Sequence, residues 1–362
     1  MSYYRKVFWI YLIVLAVGIK IVSYFPSVVE RWYSNGLYPQ ISRMQRFLFG
    51  WVPFSVGDIL YLGTGIWLLY GLIRFIRRLV KRQADKAWLL GCLRRIVFVV
   101  LLVYVLFNGL WGLNYNRLDI ADQLQLEVHP YTTAELTRLL QGVGNRLSVM
   151  DSVRVVDRDR FRHHSALFDK AIDAYRRRGI ENPRFSYNHP SIKPSLFSYL
   201  GDYLGFLGYY NPFTGEAQVN TTVPVFTQPF TACHEIAHQM GYAKENEANL
   251  MGYLTIRGWG EVSPAFEYSA DFEIYMYAAR ELYVRDSTLY KPFRAQQRPG
   301  FKQDVRELQA FNRRYTNPIE PFIWKAYGHY LRANRQPQGI RTYSEVLAWL
   351  IAYENKYGWN FN

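Results

Sequence analysis

Residues 234–238 read His-Glu-Ile-Ala-His, and the rest of the sequence is interpreted outward from this short run. On a helix, His234 and His238 lie four residues apart on one face, where two imidazoles can hold one zinc ion. Glu235 lies one position further round, so we expect it to act as general base on a water activated by the metal. The flanking residues are apolar, as a buried helix requires: Ala232, Ile236, Ala237 and Met240.

The flanks of this run also indicate where its helix begins and ends. Thr231 is a predicted N-cap, because a threonine hydroxyl can accept a hydrogen bond from a free amide of the first turn. Gly241 offers a stop or a turn after the second histidine. A buried helix that carries two histidines and a glutamate needs a partner for these polar groups, and a metal ion would be that partner.

A catalytic zinc site usually has three protein ligands and one open position, so a third ligand is needed. The predicted helix after Gly241 begins with Glu245 and Glu247. Glu245 and Asn249 resemble the E-x-x-x-[DN] arrangement of zinc peptidases that use a glutamate ligand. This resemblance implies that Glu245 binds the metal and that Asn249 orients a ligand histidine. We therefore prefer Glu245, with Glu247 and Glu267 as alternatives.

The N-terminal part of the chain is predicted to lie in a membrane. Three apolar segments, at about residues 7–25, 59–76 and 96–113, each have the length that a transmembrane helix needs. We expect a membrane domain at residues 1–113 with three transmembrane helices. Residues 114–362 then form the catalytic domain.

The charge distribution indicates the orientation of the chain and excludes one class of partner. The 362 residues carry a net charge of +14, and residues 1–113 account for a surplus of 11, with 14 basic and 3 acidic side chains. The excess therefore belongs to the membrane part, and we expect no nucleic-acid partner. The basic residues cluster at the N-terminus and between the second and third segments, which predicts that both are cytoplasmic. The catalytic domain would then be periplasmic, on a bacterial inner membrane.

The catalytic part is predicted to be mainly helical. Helical periodicity covers residues 133–149, 165–178, 265–284, 304–315, 321–333 and 344–356. One alternating segment suits an antiparallel edge strand above the metal that pairs with an extended substrate, and an ordinary hairpin is the alternative. The residues of this candidate substrate strand are Glu216, Ala217, Gln218, Val219 and Asn220. Further candidates for stabilising an oxyanion are Tyr209, Tyr210 and His329, although a lone helical histidine is more often structural.

Nearly the whole chain resembles a bacterial membrane family named domain of unknown function 3810. The resemblance rests on the multi-span N-terminus and three blocks: Trp-Gly-Leu-Asn-Tyr at 111–115, Pro-Phe-Thr-Gly-Glu-Ala with Val-Asn at 212–220, and the motif with Gly241, Glu245, Glu247, Ala248 and Asn249. It implies a zincin-like membrane hydrolase and names no substrate. The family pattern keeps Glu245 and Glu247 and does not favour an acidic residue at position 267, which weakens that alternative.

The sequence thus predicts a mainly α (α+β) protein, with transmembrane helices followed by a zincin-like domain that contains a small antiparallel sheet. The predicted activity is that of a membrane-anchored metallopeptidase with one Zn²⁺, which hydrolyses a peptide or protein substrate at the lipid bilayer. One alternative is a zinc-dependent amide hydrolase that acts on cell-wall material. Another is a membrane protein without catalytic activity that keeps a structural zinc site.

Overall fold

The computed structural model of the protein describes residues 3–155, 158–257 and 262–358. The N-terminal part is mainly helical. Between the first and second long helices the chain forms a single turn at Pro26–Val28 and a π-helical segment at Val29–Leu37. The long helices of this part are α1 (Tyr3–Val22), α2 (Tyr38–Phe49), α3 (Val56–Val80) and α4 (Lys86–Leu110).

Two of these helices are long and apolar enough to cross a membrane. Helices α3 and α4 have 25 residues each, and a third span results if Val7–Val22 of α1 and the segment Pro26–Phe49, which meet at a bend of 106°, count as one. The predicted second segment, 59–76, lies within α3. The predicted third segment, 96–113, begins within α4 and ends three residues beyond it. Both helices extend beyond the predicted segments at the end where basic residues lie. Long charged side chains near a helix end can reach the headgroup region, so they are compatible with a membrane-crossing helix. The chain therefore has the helices of a membrane protein.

Between the first two apolar segments the chain is helical at residues 26–49, and part of its surface packs on the rest of the protein. Tyr38 is 1% exposed, and its hydroxyl donates a hydrogen bond to the carbonyl of Gln239. After α4, the Trp111 side chain is buried and Gly112–Asn116 forms a 3-10 turn. These two segments belong to the support of the site.

The C-terminal part is built from helices, as predicted. Helix α5 (Thr133–Val149) begins with a capping box in which Thr132 and Glu135 bond reciprocally, and this confirms the predicted start. Shorter turns lie at Ile120–Gln123, Arg160–Arg162, Pro183–Phe185, Val225–Thr227 and Gly339–Glu345. The remaining helices are α6 (His164–Glu181), α7 (Ser198–Leu204), α8 (Gln228–Gln239), α9 (Glu245–Arg257), α10 (Pro264–Arg285), α11 (Ser287–Gln296), α12 (Pro299–Tyr315), α13 (Glu320–Ala333) and α14 (Val346–Tyr357).

Helix α8, which carries the His-Glu motif, lies at the centre of this part. Every one of its residues is buried, and it packs against α6, α9, α10 and the sheet. A helix without an exposed face must satisfy its polar side chains internally, so His234, Glu235 and His238 need partners inside the protein.

The sheet has three short strands: β1 (Ile192–Pro194), β2 (Gly208–Asn211) and β3 (Glu216–Val219). Their order is β1-β3-β2, with β3 parallel to β1 and antiparallel to β2. The expected sheet was purely antiparallel, and this is wrong for β1. The architecture is mainly helical with a small mixed sheet, and a zincin-like domain stays a prediction.

The predicted substrate strand is wrong because β3 is the central strand. Both of its edges are already hydrogen-bonded to β1 and β2, so its backbone has no edge to offer to a substrate. Glu216, Ala217, Gln218 and Val219 are all buried. Asn220 follows the strand, and its side-chain amide is already used within the protein, since it donates a hydrogen bond to Asp202 at 2.8 Å.

Glu216 has a structural role at the start of α3. Its carboxylate accepts hydrogen bonds from the backbone amides of Val56 (3.1 Å) and Gly57 (2.5 Å), and it pairs with Lys193 at 2.8 Å. A helix N-terminus leaves unsatisfied amides and a partial positive charge, and a buried carboxylate satisfies both. Glu216 therefore fixes the first membrane-crossing candidate to the sheet.

Replacing Glu216 with Ala is expected to lower the free energy of unfolding by about 3 kcal/mol, because it leaves Lys193 as a buried charge without its ion pair. Thermal unfolding of the full chain in detergent measures this as a lower midpoint. The control is Glu281→Ala, which removes a more exposed ion pair with Arg285 that contributes at most about 1 kcal/mol. Equal midpoints for the two variants would contradict the structural role of Glu216.

Candidate metal centre

The motif helix begins one turn earlier than the sequence predicts. Its N-cap is Thr227, and Gln228 and Pro229 occupy the first two helical positions, which suit proline because those amides need no helical partner. Thr231, the predicted N-cap, lies inside the helix and donates its hydroxyl hydrogen bond to the carbonyl of Thr227. The helix ends at Gln239, close to the predicted stop at Gly241.

The C-terminal end of α8 is held by residues from the N-terminal part. The last carbonyls of a helix lack partners within the helix and need donors from elsewhere. The indole of Trp111 donates to the carbonyl of His238 at 2.9 Å, and Tyr38 (2.7 Å) and Ser42 (3.1 Å) donate to that of Gln239. Residues of the predicted domain 1–113 therefore help to hold the motif helix of the predicted domain 114–362. The domain division itself stays a prediction.

Two glycines allow the next helix to approach the motif. Gly241 has φ +92°, a backbone conformation that favours glycine, and it reverses the chain between α8 and α9. A Cβ on Gly252 would lie 3.2 Å from the backbone nitrogen of His234, so glycine lets α9 pack directly on α8. The first turn of α9 is thereby brought over the two histidines.

Three candidate ligand atoms converge where α8 meets α9. The Oε2 atom of Glu245 lies 3.2 Å from Nε2 of His234 and 3.5 Å from Nε2 of His238. All three ligand atoms lie within 4.8 Å of one another, and all three residues are buried. The structure thus brings together the pair of histidines and the preferred third residue.

The hydrogen bonds of the two imidazoles show that this group suits a cation. Nδ1 of His238 lies 2.8 Å from the carbonyl oxygen of Tyr242, and Nδ1 of His234 lies 2.8 Å from Oδ1 of Asn249. Since an oxygen acceptor needs a donor, each neutral imidazole carries its proton on Nδ1 and directs the lone pair of Nε2 towards Glu245. Two lone pairs that face a carboxylate are stabilised by a cation between them, and histidine with carboxylate is a ligand set that zinc accepts.

The charged groups of this site shift one another's pKa values. Burial disfavours the ionised form of Glu245, but the imidazoles, His238 foremost, outweigh burial and hold the pKa of this carboxyl well below its usual range. Burial likewise opposes the charged form of His238, but the negative charge of Glu245 raises the pKa of this imidazole to about 9. The site is therefore strongly attractive to positive charge.

Glu235 lies beside the group without belonging to it. Its side chain is buried, and its Oε2 atom has no hydrogen-bond partner within the part of the chain that the structure describes. Burial, with a contribution from Glu245, raises the pKa of Glu235 to about 8. A buried carboxyl group that lacks partners is costly for stability and typical of a functional position.

The other two carboxylates considered as third ligands lie outside the group. Glu247 is fully buried two residues after Glu245, and its Oε1 accepts a hydrogen bond from the backbone amide of Ile120 at 3.2 Å. Glu267 forms an ion pair with Arg257. The position of Glu245 therefore favours it as the ligand, and its role stays a prediction.

Tyr327 is part of the site and was not singled out in the sequence. Its hydroxyl donates to Oε1 of Glu245 at 2.6 Å, which orients the other carboxylate oxygen towards the histidines. The sequence offered no signal for it among 30 tyrosines. On the same helix, His329 is exposed and bonds Arg332, so it does not reach the site.

Strand β2 comes close to the motif at Glu235. A Cβ on Gly208 would lie 2.6 Å from Oε1 of Glu235, so only glycine permits this approach. One edge of β2 pairs with β3, and within the described residues no strand pairs with its other edge. The hydroxyl of Tyr209 donates to Asp58 at 2.7 Å and is thus committed, while the Tyr210 ring is buried against Trp111.

The site opens into a large cavity. Its volume is about 1070 Å³, and its wall includes the three candidate ligands, Glu235 and Asn249. The cavity continues past β2 to residues of both membrane-crossing candidates. These residues are Tyr61 of α3 and Val99, Val100, Val103, Tyr104 and Phe107 of α4.

Comparison with known proteins gives one match. No curated protein and no solved structure matches this chain. A family model described as "Protein of unknown function (DUF3810)" matches residues 33–351, which include the helical segment before α3, the sheet and the whole candidate centre. The chain belongs to this family, DUF3810.

Proposed function

We propose that the protein is a membrane-anchored, zinc-dependent peptidase. The observation that carries this proposal is the convergence of His234, His238 and Glu245 in a cavity large enough for a substrate, beside Glu235, whose Oε2 atom has no hydrogen-bond partner among the described residues. Three protein ligands with an accessible cavity are typical of catalytic zinc sites, whereas structural sites are closed by a fourth ligand.

Each residue of the site has a distinct role in this proposal. His234, His238 and Glu245 hold the metal, while Asn249 and the carbonyl of Tyr242 fix the orientation of the imidazoles. The bound zinc ion supplies Lewis acidity, which makes a water molecule nucleophilic at neutral pH. Glu235 accepts the proton of the attacking water and delivers it to the amine that leaves when the peptide bond breaks.

The substrate backbone is proposed to lie along the free edge of β2. An extended peptide gains backbone hydrogen bonds by adding to an unpaired edge, and β2 passes next to Glu235 at Gly208. By the charge distribution of the sequence, the site faces away from the cytoplasm, on the periplasmic side of a bacterial inner membrane.

Two other functions remain candidates for testing. A zinc-dependent hydrolase of cell-wall amides would use the same residues, since peptide and other amide bonds present the same carbonyl to the attacking water. A non-catalytic protein with a structural zinc is less favoured, because the cavity reaches the ligands and Oε2 of Glu235 has no hydrogen-bond partner in the part of the chain that the structure describes.

The experiment measures metal content and hydrolysis with the full chain purified in detergent without chelators. We expect about one zinc ion per chain and cleavage of a mixed-sequence peptide pool. Removal of the metal with a chelator should abolish cleavage, and added zinc should restore it. Muropeptides serve as a second substrate pool, and cleavage of these alone would favour the cell-wall alternative. A chain that stays metal-free when zinc is supplied would overturn the proposal.

A further inference from the structure

One side of the cavity is formed by the surface of a membrane-crossing helix. Val100, Tyr104 and Phe107 line the cavity at spacings of four and three residues, so they form one stripe along α4, and Trp111 continues this lining just after the helix ends. The stripe ends at the candidate centre, where the ring of Trp111 lies 6.0 Å from that of His238.

This stripe extends far into the depth of a bilayer. Val100 precedes the end of α4 at Leu110 by ten residues, which corresponds to roughly 15 Å of helix. The hydrocarbon core of a bilayer is about 30 Å thick. If α4 crosses it, the cavity reaches from the candidate centre to about the middle of the membrane.

The cavity is also open to the lipid side. Val100 and Val103 line it and are nevertheless 60% and 47% exposed, so their outer surfaces would contact lipid. At the other side of the opening, Leu200 of α7 lines the cavity and is 53% exposed. Its neighbours Tyr199 and Tyr203 are exposed as well, which gives α7 the apolar and aromatic surface of a helix at the headgroup level.

We infer that the substrate is a membrane-anchored polypeptide, which enters from the bilayer and is cut close to the membrane surface. Its apolar segment lies along the α4 stripe, and the adjoining backbone lies along β2 beside Glu235. The free edge of β2 favours a polypeptide over a lipid, because a lipid has no backbone amides to pair with a strand. This inference rests on the proposed peptidase function and adds the class of substrate.

The test compares two substrates in phospholipid vesicles that contain the full chain. One is a mixed-sequence peptide pool in solution, and the other is the same pool fused at either end to a helix of about twenty Leu and Ala residues. We expect the fused pool to be cleaved at least tenfold faster, with cuts within a few residues of the helix. Val103→Trp, which fills the opening, should bring the ratio of the two rates close to one.

Leu106→Trp is the matched control. Leu106 lies on the same helix, is 42% exposed and does not line the cavity, so the same bulk there should keep the ratio. Equal cleavage of both pools that depends on Glu235 would overturn the inference and leave the peptidase proposal standing. Absence of any cleavage that depends on Glu235 would overturn both.

A crosslinking measurement shows whether a peptide or a lipid occupies the part of the cavity along α4. Photoreactive benzoylphenylalanine is placed at position 103 or 106 of the Glu235→Gln variant, which keeps the substrate uncut. Crosslinks to the fused peptide at position 103 alone support the inference. Crosslinks at position 103 to phospholipid alone would show that this part of the cavity holds lipid, and would overturn the inference.

Discussion

Replacing Glu235 with Gln is expected to lower kcat by about 10²–10⁴-fold, the contribution of a positioned general base. Glutamine keeps the shape of the side chain and the close approach of Gly208, but it cannot accept the proton of the attacking water. The metal content should be unchanged, because Glu235 is outside the ligand group. Initial rates on the peptide pool, together with metal analysis of the same preparation, measure both quantities.

This combination of results is specific to a general base. A residue that only supports the fold would lose metal and stability together with activity, whereas Glu235→Gln should lose activity alone. The buried Oε2 of Glu235 has no partner within the described residues, so its loss should cost little stability. Turnover at the rate of the unaltered protein would exclude Glu235 as the base.

The second large effect concerns the third ligand, for which the chain offers a matched pair. Glu245→Gln is expected to weaken zinc binding by more than about 100-fold, the upper range observed when only a supporting residue is lost. Glu247→Gln should keep zinc, since Glu247 lies outside the group and a glutamine oxygen can still accept the hydrogen bond of Ile120. Competition with a chelator of known zinc affinity measures both variants.

The two variants differ by only two positions in one helix, and both replace a buried carboxyl group with an amide of the same shape. A non-specific effect of this replacement would therefore weaken zinc binding in both. Loss in Glu247→Gln with retention in Glu245→Gln would assign the ligand to Glu247. Retention in both would show that the metal, if bound, uses another third ligand.

The features that the sequence predicted well are those with local causes. The capping box at Thr132 and Glu135 fixes the start of α5, because both partners lie within one turn. The histidine pair follows from helical geometry in the same way, since residues four apart share a face wherever the helix lies. The long apolar runs of α3 and α4 are likewise recognised as candidate membrane spans from their length and composition alone.

The errors arise where neighbours distant in sequence determine the outcome. The alternation at residues 216–219 correctly predicts a strand, but alternation describes faces and does not show which strands lie on either side. The pairing with β1 and β2 makes β3 central and moves the free edge to β2. Glu216 looked like a substrate contact, yet the start of α3, about 160 residues away, uses its carboxylate.

By itself, the sequence determined the long apolar helices, the mainly helical C-terminal part and the two histidines with Glu235, because turns, caps and apolar runs act over a few residues. The sequence preferred Glu245 over Glu247 by resemblance alone, and the tertiary structure brings Glu245 to the two histidines. Both glutamates open the same helix, and their positions depend on how α9 packs on α8 at Gly252. Only the tertiary structure joined the residues around Tyr38 and Trp111 to the end of the motif helix. The last carbonyls of a helix lack helical partners, so the distant Tyr38 and Ser42 donate to that of Gln239, while Trp111 adds to the bond that Gly241 makes to that of His238.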